Sequence, residues 1–379
     1  MSTQTQSRNM RLMDGNEAAA WAALYSGCRY YAGYPITPAT GVFNTIMELL
    51  PPSGGHVLQA EDEIAAIGAC IGASMAGLKV MTATSGPGIS LYSEQVSFAI
   101  GSEIPLVIID VQRLGPSTGS ATKGADGDIQ FLRWNSSGGQ PVIVLCPTNV
   151  QDCLILTMHA FNLAERFRCP VFVASNKEIG LTKESVDLDA IKLPDPVSRQ
   201  MASEEGFLPF HVPEGTDVPA FLPIGHPRVP VRQTSSTHGQ DGYITTDPEE
   251  IQNTQDRLKR KILANIGEMT FYDYIGEQDA ETVIVSYGIT ARTAAAAYKE
   301  LSSEGKSAGV LILKTLWPVP EREIKEACKN ASTIVVPEMN MGQYAGEIER
   351  ILPGKTVHRV VRMNGSLIAP ENIKEVVNA

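Results

Sequence analysis

Residues 106–111 read Leu-Val-Ile-Ile-Asp-Val, a near-continuous apolar run with no in–out alternation. A strand with one wet face alternates, whereas a run like this suits a parallel strand covered by helices on both faces. That demand asks for a strand–helix repeat along the chain, and the repeat is there. Apolar runs at residues 30–33, 56–59, 79–83, 142–146 and 171–174 read as further strands. Helical patterns lie between them, at residues 16–25, at 39–50 with apolar Val42, Phe43, Ile46, Leu49 and Leu50, at 61–75 and at 90–101. Gly77 stands where the 61–75 helix should end. Thr148 reads as the N-cap of a long helix, with Gln151 at the capping-box position. Residues 15–180 therefore form one doubly wound α/β domain with a parallel sheet.

A second series follows a break in this rhythm. Residues 191–230 hold eight of the 24 prolines, and no period persists there. Proline brings no N–H to a helix or a sheet ladder, so residues 185–246 are expected to cross the molecule with little regular structure. Asp247-Pro248-Glu249-Glu250 then reads as a capped helix start, reaching residue 266. Strands at 282–286, 308–313, 333–336 and 357–361 alternate with helices at 290–301, 321–329 and 342–351. The division is residues 1–190 as the first α/β domain, 191–275 as a proline-rich linker and helix, and 276–379 as a smaller α/β domain. Gly288 and Gly342 belong to no Gly-x-Gly-x-x-Gly pattern, so a dinucleotide site is not indicated.

Composition excludes several functions. With 31 basic and 42 acidic residues the net charge is −11, whereas a general nucleic-acid binder presents a basic face. No run nears the ~18 apolar residues of a membrane span. Residues 1–14 are polar and lack the apolar core of a signal peptide, so a cytoplasmic protein is expected. The six cysteines, Cys28, Cys70, Cys146, Cys153, Cys169 and Cys328, form no Cys-x-x-Cys. They read as small buried thiols in a reducing compartment, without the spacing of zinc or iron–sulfur ligands. A Ser-His-Asp order, His-Glu-x-x-His and a P-loop are all missing.

In a doubly wound sheet the crevice lies beyond the carboxyl ends of the strands. Four segments follow strands and so meet at that rim: Tyr34-Pro35-Ile36-Thr37-Pro38, Glu61-Asp62-Glu63, the turn Thr84-Ser85-Gly86-Pro87-Gly88, and residues 113–119. Thr37 reads as an N-cap with Pro38 at the first helical position, so backbone N–H groups there could seat a carboxylate or phosphate. Thr-Pro is equally a common plain helix start. The carboxylates at 61–63 suit a helix dipole whatever else they do. Arg113, directly after the buried strand, can grip a carboxylate bidentately, although an arginine so placed is often only an ion-pair partner. The Gly-Asp-Gly magnesium motif of thiamine enzymes does not appear, since Gly127-Asp128 continues into Ile129. The chain reads as half of an active site.

Taken together, Tyr34-Pro-Ile-Thr-Pro38, Gln59-Ala-Glu-Asp-Glu-Ile64, Thr84-Ser-Gly-Pro-Gly88 and Arg113-Leu-Gly-Pro-Ser-Thr-Gly119 resemble the alpha subunit of 2-oxoacid:ferredoxin oxidoreductases, nearest to the 2-oxoglutarate branch. Leu316-Trp-Pro-Val-Pro320 and Glu338-Met-Asn-Met-Gly-Gln343 fit the same subunit, and the resemblance covers nearly the whole chain. It implies a pyrimidine-binding-type thiamine diphosphate domain followed by a transketolase C-terminal-like domain. Such enzymes decarboxylate a 2-oxoacid on thiamine diphosphate, pass electrons through iron–sulfur clusters to ferredoxin, and form an acyl-CoA. A beta subunit would then hold the diphosphate, Mg2+ and a [4Fe-4S] cluster. The chain begins almost at its first helix, so a separate gamma subunit is also expected.

Residue roles follow from the same resemblance. Thr37 and Arg113 would meet the substrate's oxo and carboxylate end, and Thr118 the distal carboxylate of 2-oxoglutarate. Pro35, Ile36, Ser85 and Gly86 would line the coenzyme. One glutamate would hydrogen-bond the aminopyrimidine N1′ and so drive deprotonation of the thiazolium carbon. Helix register favours Glu63, and proximity to the strand end favours Glu61; the choice leans to Glu63. Pyruvate or branched-chain 2-oxoacids are alternative substrates, and a non-catalytic structural subunit is an alternative role. His238 sits in a glycine turn and is left with either a site or a packing role.

Overall fold

In the computed structural model, which describes residues 9–378, the chain opens with β1 (Met10–Met13), α1 (Gly15–Tyr25), β2 (Tyr30–Gly33), α2 (Thr40–Leu49), β3 (His56–Gln59), α3 (Glu63–Met75), β4 (Val80–Thr84) and α4 (Gly86–Gly101). It continues through β5 (Leu106–Gln112), α5 (Ile129–Trp134), β6 (Ile143–Leu145), α6 (Val150–Phe167), β7 (Pro170–Asn176), α7 (Lys177–Leu181) and β8 (Glu184–Asp187). An irregular stretch leads to α8 (Pro248–Leu263). Then come β9 (Tyr272–Gly276), β10 (Thr282–Ser286), α9 (Thr290–Ser303), β11 (Ala308–Leu313), β12 (Thr315–Trp317), α10 (Glu321–Ala327), β13 (Thr333–Glu338), α11 (Ala345–Ile351), β14 (Thr356–Val361) and α12 (Pro370–Asn378). Part of the polar N-terminal segment, residues 1–8, lies outside the described residues.

The first sheet has the order β12-β6-β7-β5-β4-β2-β3. Its strands pair in parallel except β12, which runs antiparallel to β6. All seven residues of β5 are buried between β4 and β7, as a strand covered on both faces must be. One face carries α1, α2 and α6 over Met81, Val107, Ile109 and Val173. The other carries α3 and α4 over Ala32, Ile108 and Phe172, and this core runs on into Val283, Leu311 and Val336 of the second sheet. That sheet has the order β14-β13-β10-β11-β9, parallel but for β9.

Several local expectations change. β12 carries the Leu316-Trp317 string and closes the edge of the first sheet, although it comes from the chain's last third. The β1–β8 pair, β9 and α12 had no clear period and were not foreseen. Thr37 is not an N-cap: α2 starts at Thr40 with Ala39 as its unassisted cap. A cis peptide bond joins Thr37 to Pro38, and the turn's carbonyls are held from a distance, Pro38 by Asn16 and Thr37 by Arg113. Thr84–Gly88 is not a free turn either. Ser85 is the N-cap and Gly86 opens α4, because a proline in the first helical turn loses no hydrogen bond. The cap of α6 is Asn149, whose side chain accepts from the Asp152 N–H, while Thr148 donates to the Asp152 carboxylate. The Thr148–Gln151 capping box is thus replaced by an Asn149–Asp152 cap one residue on, with the shorter Asp better placed at the third helical position.

Residues 188–247 do lack regular secondary structure, yet they are pinned. Arg199 makes a bidentate pair with Glu165 and donates to the carbonyls of Ser74 and Leu78. Arg168 donates to the carbonyls of Pro219 and Ala220. Buried guanidinium groups thus tie the strap down from both sides, Arg199 donating outward from it and Arg168 donating into its carbonyls.

Candidate functional site

The strand order reverses at β2: the chain passes outward to β3, then returns to β4 on the other side. Loops leaving β2 and β4 part there and open the crevice where such sheets bind ligands. Thr37 lies on the first loop, Ser85 and Gly86 on the second, and Arg113 just past β5 next door.

Arg113 is only 6% exposed. Its Nη1 donates to the Thr37 carbonyl over 2.6 Å, and its buried Nε has no partner. A buried guanidinium with an unused donor is built to receive an acceptor. The Thr37 side chain itself is exposed, and Pro35 and Ile36 are half-buried beside it. Beyond Arg113 the chain doubles back, with Leu114 bridging Ser120. Gly119 has φ +48°, and a methyl group there would lie 1.7 Å from the Leu114 carbonyl oxygen, so no other residue fits that return. Thr118 stands exposed on its tip.

The three acidic residues at the start of α3 divide their work. Asp62 is the N-cap, accepting from the Ala65 N–H at 2.7 Å. Glu61 is exposed. Glu63 is 7% exposed and packs against Gly88 of α4. A methyl group on Gly88 would lie 2.8 Å from Glu63 Cγ and 1.9 Å from Thr84 Oγ1. The buried Ser85 hydroxyl beside them has no partner. The fold therefore gathers Thr37, Glu63, Ser85, Gly86 and Arg113 at the crevice, and leaves Glu61 at its outer edge.

Three carboxyls under this rim were missed. Asp110 is 0% exposed, and neither of its oxygens meets an N–H or O–H donor. Asp128 lies against it, with Oδ2 also unpartnered. Asp126 accepts from Asn176 Nδ2 at 2.8 Å. Burial pushes Asp110 well above the usual carboxylate range. Burial lifts Asp128 to about 6 against the pull of Asp110 and Arg113, and it lifts Asp126 to about 7. One signal was available: Asp110 is the single polar residue in the run at 106–111.

The second sheet reaches these groups directly. It has its own reversal at β10, between β11 and β13, and the loop at residues 126–130 fills that crevice. Asn340 Nδ2 donates to the Asp126 carbonyl and the Asp126 N–H to the Met339 carbonyl. Gln343 Nε2 donates to the Gly127 carbonyl, and its Oε1 accepts from the Gln130 N–H. Glu338 holds the grip in shape, accepting from Tyr287 Oη and from the N–H groups of Tyr344 and Ala345. The Glu338–Gln343 string is thus a clamp on the first sheet's loop.

Other features lie apart. His238 is buried, stacked on Phe210 at 3.7 Å and bonded to the Gly239 carbonyl, which is a packing role. A groove of about 710 Å3 opens between Trp134, Trp317 and Arg322, and Thr37, Glu63 and Arg113 are not among its lining residues. Among the described residues no helix is long and apolar enough to cross a membrane.

Residues 21–256 match the family model of the thiamine diphosphate-binding domain of pyruvate flavodoxin/ferredoxin oxidoreductases, and residues 280–373 match core domain II of pyruvate:ferredoxin oxidoreductase. The chain is 40% identical to the 2-oxoglutarate synthase subunit KorA of Methanothermobacter thermautotrophicus, over 96% of this chain and 97% of that protein. It is 34% identical to the ketoisovalerate oxidoreductase subunit VorB of Methanothermobacter marburgensis, over 96% of each. Among solved structures it superposes with TM-score 0.92 and 29% identity on a 2-oxoglutarate:ferredoxin oxidoreductase from Magnetococcus marinus with 2-oxoglutarate, coenzyme A and succinyl-CoA bound. The match covers 99% of this chain and 66% of that one.

Proposed function

Because the chain belongs to the pyruvate flavodoxin/ferredoxin oxidoreductase family, we propose that it is the alpha subunit of a 2-oxoglutarate:ferredoxin oxidoreductase. The complete enzyme converts 2-oxoglutarate and CoA to succinyl-CoA and carbon dioxide while reducing ferredoxin, or runs the reverse carboxylation. The observation that carries this reading is Arg113, buried at the crevice with one donor on Thr37 and another unused.

The rim fits the aminopyrimidine end of thiamine diphosphate, through the Glu63 carboxylate at Gly88 and the unpartnered Ser85 hydroxyl. When bound, that coenzyme supplies the carbanion-stabilising chemistry that lets a 2-oxoacid lose carbon dioxide. Glu63 holds a proton between its carboxyl and the ring's N1′. Pro35, Ile36 and Gly86 shape the wall beside it. Arg113 pairs with the carboxylate that departs, Thr37 orients the adjoining oxo group, and Thr118 meets the distal carboxylate.

The diphosphate, Mg2+ and a [4Fe-4S] cluster belong to a partner beta subunit, with a gamma subunit completing the assembly and ferredoxin as acceptor. Support comes from the cysteines, which are dispersed through three separate apolar cores. Burial pushes each thiol up, Cys28 to about 12 and Cys169 to about 11. Groups so held favour packing over ligation.

The test is reconstitution with the beta subunit. Dye or ferredoxin reduction should require both 2-oxoglutarate and CoA. Arg113→Ala should lower kcat/KM by at least a hundredfold in an assembled complex, and wild-type turnover would remove Arg113 from the site. The similarity to the ketoisovalerate oxidoreductase subunit supports a second reading, a branched-chain substrate. A 2-oxoacid panel decides between them.

A further inference from the structure

We propose that Asn16 is a positioning residue for Arg113, acting through the turn that carries Thr37 and Pro38. The inference rests on the reading above, in which Arg113 and Thr37 receive the 2-oxoacid.

The turn has few donors of its own, because Pro35 and Pro38 bring no N–H. Its last two carbonyls are taken by side chains from elsewhere in the fold. Arg113 Nη1 donates to the Thr37 carbonyl at 2.6 Å. Asn16 Nδ2 donates to the Pro38 carbonyl at 2.8 Å. These carbonyls stand in successive peptide planes, each rigid in itself. Between the planes lie only φ and ψ of Pro38, and the pyrrolidine ring locks φ. A single soft torsion therefore separates the carbonyl that Asn16 holds from the one that Arg113 holds. Fixing the first settles where the guanidinium comes to rest, and with it the direction of the buried, unpartnered Nε.

Asn16 stands on a rigid base. It is 2% exposed, and it is the polar side chain among the buried residues of α1, the others being glycine and alanine. A buried amide needs a partner, and the Pro38 carbonyl is that partner. The helix start that carries it is pressed against α7 and α6. A methyl group on Gly15 would lie 2.7 Å from the Ile179 carbonyl oxygen and 3.1 Å from Cys153 Sγ. Two more glycines clear the space around the amide. A methyl group on Gly41, in the first turn of α2, would lie 2.7 Å from Asn16 Nδ2. One on Gly180 would lie 3.0 Å from both Asn16 Oδ1 and Val111 Cγ1. Val111 belongs to β5, the strand that Arg113 follows. The amide thus stands between the turn and the strand that delivers Arg113, and it sets the spacing between them.

The experiment measures kcat and KM of the enzyme reconstituted with the proposed beta subunit, for 2-oxoglutarate and for CoA separately. Asn16→Ala should raise KM for 2-oxoglutarate about tenfold, the scale of one lost orienting hydrogen bond. It should lower kcat by less than that and leave KM for CoA where it is. A merely structural lesion would lower kcat with the active fraction and leave both KM values in place, and that result overturns the proposal. The double variant Asn16→Ala/Arg113→Ala gives a second readout. Residues that act as one unit do not add, so its kcat/KM should lie less than about threefold below that of Arg113→Ala. A larger further loss means that Asn16 acts apart from Arg113, and overturns the proposal. Should Asn16→Ala fail to assemble, Gly41→Ala decides, because its methyl group displaces the amide without removing it. The same rise in KM for 2-oxoglutarate upholds the proposal, and an unchanged KM overturns it. Arg113→Ala alone separates this inference from the reading beneath it. If it lowers kcat/KM while the Asn16 and Gly41 variants keep the wild-type KM, only the positioning role falls. If it leaves kcat/KM at the wild-type level, the substrate role of Arg113 falls and takes the positioning role with it.

Discussion

Glu63 and Gly88 make a contact that tests the site one residue at a time. Gly88 lies in α4 with no room for a side chain, since a methyl group would meet Thr84 Oγ1 at 1.9 Å and Glu63 Cγ at 2.8 Å. Gly88→Ala should cost about 1–3 kcal/mol through overpacking, and it should also move Glu63 and lower turnover. Glu63→Gln keeps the volume and removes the acid. Turnover should drop by ~10²–10⁴-fold, the usual range for loss of a general acid–base group, with a nearly unchanged thermal midpoint. Equal activity loss and stability loss in both variants would mean that Glu63 is a packing residue. The rim positions of Arg113 and Glu63 were legible because strand ends announce the rim. Choosing Glu63 over Glu61 took the helix start at residue 63, which buries one carboxylate and leaves the other in water.

Elements lean on one buried ionic cluster. Glu103, fully buried just past α4, pairs with Arg257 at 2.6 Å and Lys261 at 2.7 Å, both on α8. Burial pushes its carboxyl up, but Lys261 and Arg257 outweigh that and hold it down at about 2. A folded-state value below the unfolded one contributes stability that is complete above pH ~4.5 and is lost as pH falls from there toward 2. Thermal midpoints between pH 5 and pH 2 should therefore drop steeply in the wild type. Glu103→Gln should flatten that part of the curve. It should also destabilise the neutral protein by ~3–5 kcal/mol, because two cations are left without their counter-charge. A wild-type acid profile in that variant would show that α8 is held by its apolar contacts alone. The proline content of residues 191–230 foretold an irregular segment. It could not foretell the anchors, since Arg168 and Glu165 come from distant positions and Arg199, inside the segment, carries no local pattern that marks its partners.

At the scale of the whole molecule, the rim is bordered by apolar side chains facing water. Tyr34, Leu58, Ile64 and Leu91 are each at least 40% exposed, and β3 is an outer strand of its sheet. An uncovered edge with exposed apolar neighbours calls for a covering surface, which suits a partner subunit that completes the crevice. Leu58→Lys and Ile64→Lys should weaken assembly with the proposed beta subunit in sedimentation experiments, with little change in the isolated chain's thermal midpoint. Unaltered assembly in both would place the interface elsewhere.

The sequence by itself determined the layered α/β architecture, the loops that meet at the crevice and the family, because apolar period and turn residues are local and repeat along the chain. Tertiary structure alone decided which glutamate is buried at the crevice, that β12 leaves its own unit to finish the first sheet, and that the second unit's crevice closes on the loop bearing Asp128. Those outcomes depend on burial and on donors supplied from far along the chain. A carboxylate in the sequence looks the same whether it will meet water, a helix N-terminus or another carboxylate. Only packing selects among the three, by setting how much solvent each group loses.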